Sequence, residues 1–178
     1  MPKLEVPYDG HISALLRTLQ KPGALLVSLD ENGRPNPMTI GWAQIGIIWG
    51  RKIMSVMVRP SRYTYHCVEL TQDFTVCAPG MDLAQAVGFC GSRSGRDYDK
   101  FAEGGLTPLP SATVKSPGIA ECGLIYECRV VNHADFAPER LLPQVNEDCY
   151  ASGDYHRVYF GEIMRVVADE GFAEQVRE

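Results

Sequence analysis

The chain lacks the short cysteine pairs, long apolar runs and basic excess that mark three large functional classes. No C-x-x-C occurs among its six cysteines (Cys67, Cys77, Cys90, Cys122, Cys128 and Cys149). Zinc and iron–sulfur sites usually show one short ligand pair, so no metal centre is expected. No apolar run approaches the ~18 residues that span a bilayer. The start, MPKLEVPYDG, has no apolar core of a signal peptide, which points to the cytoplasm. Lys and Arg total 17 against 22 Asp and Glu, a net charge of −5, and this argues against a nucleic-acid partner. G-x-S-x-G, G-x-x-x-x-G-K-[ST] and G-x-G-x-x-G are all absent, and the four histidines (His11, His66, His133 and His156) show no H-x-x-x-H spacing. Hydrolase, P-loop and Rossmann chemistry therefore have no motif to stand on.

What is present is an ordinary globular composition, with 45% apolar and 22% charged residues in 178. That length suits one domain, taken as 1–178, and neither a repeat nor a linker interrupts it. Ile12, Leu15, Leu16 and Leu19 recur at helical spacing within His11 to Gln20, and Pro22-Gly23 ends that helix. Ala24 to Leu29 reads as a strand, Asp30 to Gly33 as a hairpin turn, and Asn36 to Trp42 as the returning strand. A turn region from Gly46 to Gly50 precedes another strand, Ile53 to Val58.

Ser61 is placed to cap a helix running to about Leu70. Phe74 to Ala78 is a strand, Asp82 to Val87 a short helix, and Gly88 to Gly105 a glycine-rich charged stretch with a helix from Asp97 to Glu103. Leu106 to Pro117 is punctuated by proline, which excludes a long helix. Ile119 to Val131 and His156 to Val167 are long strands, separated by turns and one helical segment in Phe136 to Asp154, and a charged tail starts at Asp169. Local hairpins and few helices predict a mainly β fold, a closed or partly closed antiparallel barrel with peripheral helices.

Two segments carry more hydrogen-bonding groups than a core needs. Arg59, Ser61, Arg62, Tyr63 and Thr64 crowd into RPSRYT, where a strand ends and a helix starts. Helix-start amides and arginine forks suit a phosphate-bearing anion; the plain alternative is a capped surface helix with solvated arginines. CGSRSGRDYDK, from Cys90 to Lys100, offers Ser92, Arg93, Ser94 and Arg96 on a backbone loosened by glycine. Its plain alternative is a polar surface loop. The cysteines read as small buried hydrophobes, Cys90 alone lying in a ligand-loop context. His156 follows a Gly-Asp-Tyr turn at the start of the last strand, which suits the mouth of a pocket.

NPMTIGW, IGIIW, VRPSRYT, FTV, GSRSGRDYDKF followed by GLTPLP, IAECGLIYECRVV and HRVYFGEI occur in this order between about Pro22 and Val167. In this the chain resembles the flavin reductase-like, flavoredoxin-type FMN-binding split barrels. The resemblance implies a six-stranded Greek-key split barrel, homodimeric, with one FMN per subunit. It places Met38, Thr39, Ile40 and Gly41 along the isoalloxazine ring. Arg59, Ser61, Arg62, Tyr63 and Thr64 would surround the ribityl and phosphate groups, and Ser92, Arg93, Ser94 and Lys100 would form the second phosphate loop. His156 and Tyr159 would approach the flavin or its reductant as catalytic groups. Cys77-Ala78-Pro79 stands where relatives often have an Asn-rich segment. The implied activity is NAD(P)H-dependent flavin reduction, with NADH and NADPH undistinguished. A flavoredoxin-like carrier, reduced by a redox protein partner, is the alternative. Haem-binding and pyridoxamine-phosphate-oxidising relatives share the split barrel and form a third reading.

Overall fold

A computed structural model describes residues 3–172. Positions 173–178 of the expected charged tail lie outside the described residues. The chain opens with a short strand β1 (Leu4–Glu5) and helix α1 (Ile12–Gln20), whose Ala14, Leu15 and Leu19 are buried while Leu16 faces out. Then come β2 (Ala24–Leu29), β3 (Pro35–Ile40), β4 (Ala43–Ile48) and β5 (Arg51–Val58). Helix α2 (Tyr63–Thr71) leads to β6 (Asp73–Ala78), and a 3-10 turn at Met81–Leu83 leads to α3 (Ala84–Ser92). Helix α4 (Lys100–Glu103) and the small ladder of β7 (Pro108–Leu109) with β8 (Gly118–Ile119) follow. The long strand β9 (Leu124–Asp135), helix α5 (Pro143–Tyr150) and the long strand β10 (Arg157–Ala168) complete the described chain.

Every strand pair is antiparallel, in the order β3-β2-β6-β9-β10-β5-β4 with β1 added at the end of β10. Alternate residues of β2, β3, β5, β6, β9 and β10 converge on one core that includes Leu26, Met38, Val56, Val76, Tyr126 and Ile163. A flat sheet could not bring the far strands β3 and β5 to a common core, so the sheet curls into a barrel. It is a split barrel, since β3 and β4 stand at the two ends of the path. The opposite faces of β2, β6, β9 and β10 present Leu25, Val27, Cys77, Ile125 and Val167, which α3 and the α4 region cover with Val87, Cys90 and Phe101.

Five local expectations need correction. The helix expected from Asp97 starts at Lys100, because the Asp99 side chain caps it by accepting from the Phe101 and Ala102 amides, and the long strand expected from Ile119 starts at Leu124. The turn region expected from Gly46 is a strand, β4, because the hairpin bends only at Trp49-Gly50, both in the left-handed region (φ 54° and 69°) as a two-residue type I′ turn requires. The helix expected to stop at Val87 continues through two glycines to Ser92, because Ala86, Val87 and Cys90 are buried and their burial outweighs the glycine penalty. Cys90 therefore lies in the last turn of a helix rather than in a loop. Finally, Ser61 is not a helix cap: the cap position of α2 is Arg62, without a side-chain bond to the helix. Cys67, Cys77, Cys90, Cys122 and Cys128 are buried, as small hydrophobes should be.

Candidate functional site

A groove runs from the end of β3 to the start of α4, in two connected clefts. The first, about 210 Å³, is lined by Met38 to Trp42, Met57, Arg59, Arg62 and His156. The second, about 150 Å³, runs from Met38 past Ser61 to Thr64 and on to Cys90 to Arg96 and Lys100. Met38 and Arg62 line both, so they mark the junction. Every residue expected to hold a cofactor lines one of these clefts. The ends of β3 and β5 meet at the first cleft, and α3 and α4 lie against β3.

The second cleft is cationic. Arg62, Arg93, Arg96 and Lys100 line it together with serine and threonine, and among the described residues no carboxylate does. Lys100 is 4% exposed, and among the described residues its Nζ donates only to the Cys90 carbonyl, at 3.0 Å. An ammonium has three donors, so this one is under-satisfied. Burial, reinforced by Arg62, pulls its pKa below the ordinary lysine value. Among the described residues, no hydrogen bond or ion pair engages the Arg62 guanidinium. Arg96 donates to the Ser61 carbonyl (3.3 Å) and lies 5.2 Å from the Tyr63 ring, while Arg93 lies 5.6 Å from the Tyr98 ring. The Thr64 hydroxyl accepts from Asn36 Nδ2 at 2.8 Å, and the Ser92 hydroxyl bonds back to the Gly88 carbonyl at 2.9 Å. Ser94 Oγ accepts from the Arg96 amide. A side chain at Gly95 would collide with Asn36 Oδ1, so glycine lets this loop close on β3.

The first cleft is instead wired internally. Arg59 donates to the carbonyls of Cys149 (2.8 Å) and Asp154 (3.1 Å), and stands 5.1 Å from the Tyr150 ring. The Asp154 carboxylate accepts from the Ser61 amide (3.2 Å) and hydroxyl (2.6 Å). Arg59 and Ser61, both expected around a phosphate, thus hold the loop between α5 and β10. That loop delivers His156, whose Nδ1 is 2.8 Å from the Tyr150 hydroxyl and whose ring lies 5.0 Å from that of Trp42. Burial, then Arg59 and Arg62, push the His156 pKa down to about 4, so the imidazole is neutral at pH 7. Thr39 lines the cleft, but its hydroxyl proton goes to the Val87 carbonyl (2.6 Å), which leaves the oxygen only as an acceptor.

Tyr159 is not brought to the groove. It is fully buried on the core side of β10, with its hydroxyl on Glu69 (2.7 Å), and burial with that carboxylate drives its pKa far above the usual phenol value. The strand alternation of β10 turns it inward. Trp42 and Met57, which line the first cleft, and Tyr150 and Asp154, which brace the loop carrying His156, were not singled out from sequence. Trp42 directly follows Gly41, so adjacency could have flagged it; Tyr150 and Asp154 lie in a turn-rich stretch with no motif.

The donor set fits an elongated ligand with an anionic end, since four cations without a counter-charge surround one cleft and a mostly uncharged cleft continues from it. The Asp154 carboxylate accepts from the amide and hydroxyl of Ser61, in the turn that precedes α2. Comparison with known proteins establishes the family and the fold. An uncharacterized protein of Archaeoglobus fulgidus is 30% identical over 148 residues, 83% of this chain and 72% of the relative. The structure of flavoredoxin from Desulfovibrio vulgaris (Miyazaki F) superposes with a TM-score of 0.68 at 27% identity, over 84% of this chain and 70% of that one. An FMN-binding domain of a flavin reductases-like enzyme from Shewanella baltica shares the fold, with a TM-score of 0.67 at 19% identity over 95% of this chain and 78% of that one. The family model described as flavin reductase like domain matches residues 16–176, and the chain belongs to that family.

Proposed function

We propose that the chain is an FMN-binding oxidoreductase acting as a single domain, and that NAD(P)H reduces the flavin, which passes electrons to free flavin or another acceptor. The observation that carries this reading is the cluster of Arg62, Arg93, Arg96 and Lys100 without a carboxylate, in a chain whose net charge is −5. Arg62 and Lys100 would hold the phosphate, because among the described residues the Arg62 guanidinium has no partner and the buried Lys100 ammonium spends one of its three donors. Ser94 and Arg93 would close over it from the loop after α3. Met38, Thr39, Ile40 and Gly41 would line the flavin ring in the first cleft, with the Thr39 oxygen and nearby amides facing its polar edge. Bound there, FMN supplies hydride acceptance and one- or two-electron transfer, so a protein acid–base triad is not required.

The chain's own contribution is positioning and electrostatics. Neutral His156 keeps a titratable but uncharged ring at the mouth, held through Nδ1 by Tyr150. Arg59 and Asp154 fix the loop that carries it. The exposed Trp42, Ile47 and Trp49 around the edge strand β4 support the homodimer that the resemblance implies.

The flavoredoxin of Desulfovibrio vulgaris supports a second reading, an electron carrier reduced by a protein partner. One experiment separates the two. The purified protein is scanned for flavin bands at about 375 and 450 nm, values set by the cofactor, and NADH and then NADPH are added anaerobically. Rapid bleaching is the result expected for a reductase. Bands that persist with both nucleotides, but bleach with a reduced ferredoxin-type donor, establish the carrier. A colourless protein that does not take up added FMN overturns both.

A further inference from the structure

Behind the first cleft, Tyr150 is 3% exposed, and its hydroxyl lies 2.8 Å from His156 Nδ1. The phenol ring is clamped on both faces. Tyr155 stacks on it at 4.8 Å, with its own hydroxyl held by Asn146 Oδ1 at 2.8 Å, and the Arg59 guanidinium stands 5.1 Å from the ring centre. Among the described residues, His156 Nδ1 is the one acceptor within hydrogen-bond reach of the Tyr150 hydroxyl. The other ring nitrogen, Nε2, has no partner among the described residues, and His156 lines the cleft.

Counting donors and acceptors fixes the shared proton. A phenol has one proton to give, and a neutral imidazole has one N–H and one bare nitrogen. With the imidazole proton on Nδ1, that nitrogen would donate to the phenol oxygen, and the buried phenol proton would have no acceptor, which is costly. With Nδ1 bare, it takes the phenol proton and both groups are satisfied. The His156 backbone amide already serves the phenol oxygen as a donor. A doubly protonated ring would strand the same phenol proton and would face Arg59 and Arg62 as well as the Asp154 carboxylate. We propose that Tyr150 is a positioning residue, which donates to His156 Nδ1 and holds the imidazole as the neutral Nε2–H tautomer, a hydrogen-bond donor to a carbonyl oxygen in the first cleft rather than a proton donor. That carbonyl belongs to the flavin ring or to the nicotinamide carboxamide. The choice between these sources rests on the proposed flavin function; the tautomer does not.

The test begins with long-range nitrogen–proton NMR on the intact chain with isotope-labelled histidine, which reads the ring nitrogen that carries the proton. The His156 signals are those missing from His156→Gln. Expected in the wild type is one state, Nε2 protonated and Nδ1 bare, that persists down to about pH 5, because the folded pKa is about 4. Tyr150→Phe keeps the stacked ring and removes the hydroxyl, so Nδ1–H should appear beside Nε2–H, and thermal midpoints check folding. A wild-type His156 protonated at Nδ1, or a Tyr150→Phe variant with the wild-type tautomer, overturns the assignment. The second arm follows anaerobic bleaching of bound flavin by NADH. Expected are a rate with no step near the ordinary histidine value of 6.5, a loss of about tenfold in Tyr150→Phe, and a faster rate in His156→Gln, which keeps an N–H, than in His156→Leu. A fall in FMN affinity assigns the flavin carbonyl, and a raised KM for NADH at unchanged FMN affinity assigns the carboxamide. A rate that steps near 6.5, or equal rates in His156→Gln and His156→Leu, overturns the donor role. If the chain binds no flavin, the proposed function falls, while the NMR result by itself still upholds or overturns the tautomer.

Discussion

The two clefts of the groove treat their arginines in opposite ways. At the His156 end, Arg59 has been supplied with carbonyl partners and Ser61 with a carboxylate, and the result is a fixed loop. At the Lys100 end, Arg62 and Lys100 keep donors that the described protein leaves unused or barely used. Residue type alone would treat Arg59 and Arg62 as equals, since they lie three positions apart in one motif. Hydrogen-bond satisfaction, rather than charge, is what sets the two arginines apart, and under the proposed function it separates a structural arginine from a ligand-binding one.

The sharpest way to break this contrast is to remove each arginine in turn. Arg62→Ala is expected to have the largest effect, weakening FMN binding by about 10- to 150-fold, the equivalent of ~1.5–3 kcal/mol for a charge-assisted bond. Its thermal midpoint should stay near that of the wild type, because no protein partner is lost. Equal FMN affinity by fluorescence titration would erase the distinction. Arg59→Ala should do the reverse. It strands the carbonyls of Cys149 and Asp154 and the Tyr150 face, so stability in denaturant melts should fall by about 1–2 kcal/mol. FMN affinity should change less than in Arg62→Ala, and a larger change would make Arg59 a direct ligand.

A smaller effect sharpens the picture at the mouth. The folded pKa of His156 is about 4, against 6.5 for the free side chain. Between these values the unfolded chain binds the proton and the folded chain does not, so folding stability rises with pH. The contribution is complete above about 6.5 and is lost as pH falls through about 4. His156→Phe should flatten the pH dependence of the thermal midpoint in that window, and an unaltered slope would mean that the ring titrates normally.

Much of this was legible from residues alone. The helix at Ile12–Gln20, the strand Ala24–Leu29 and the presence of two late strands followed from patterning, and the cavity-lining residues at the start of α2 and around the end of α3 followed from their surplus of donors, whereas Met38 to Gly41 came from the family resemblance. Other features were hidden for physical reasons. Gly46 looked like a turn residue, but it occupies a strand where its missing side chain leaves open space. Tyr159 shared a motif with His156, yet strand alternation sends it into the core. Gly88 and Gly91 suggested a loop, although burial of their neighbours kept the helix intact.

By itself, the sequence determined that the fold is built from antiparallel strands and that basic and hydroxyl groups collect at two chain segments. Patterning at periods of 2 and 3.6 and local turn chemistry are enough for that. Only the tertiary structure decided which of those groups are spent. Ser61 meets Asp154 across 93 positions, and Arg59 meets Cys149 across 90. Such pairings depend on how β5 and β10 align and on where the loop before β10 closes, and no local signal in either segment encodes them.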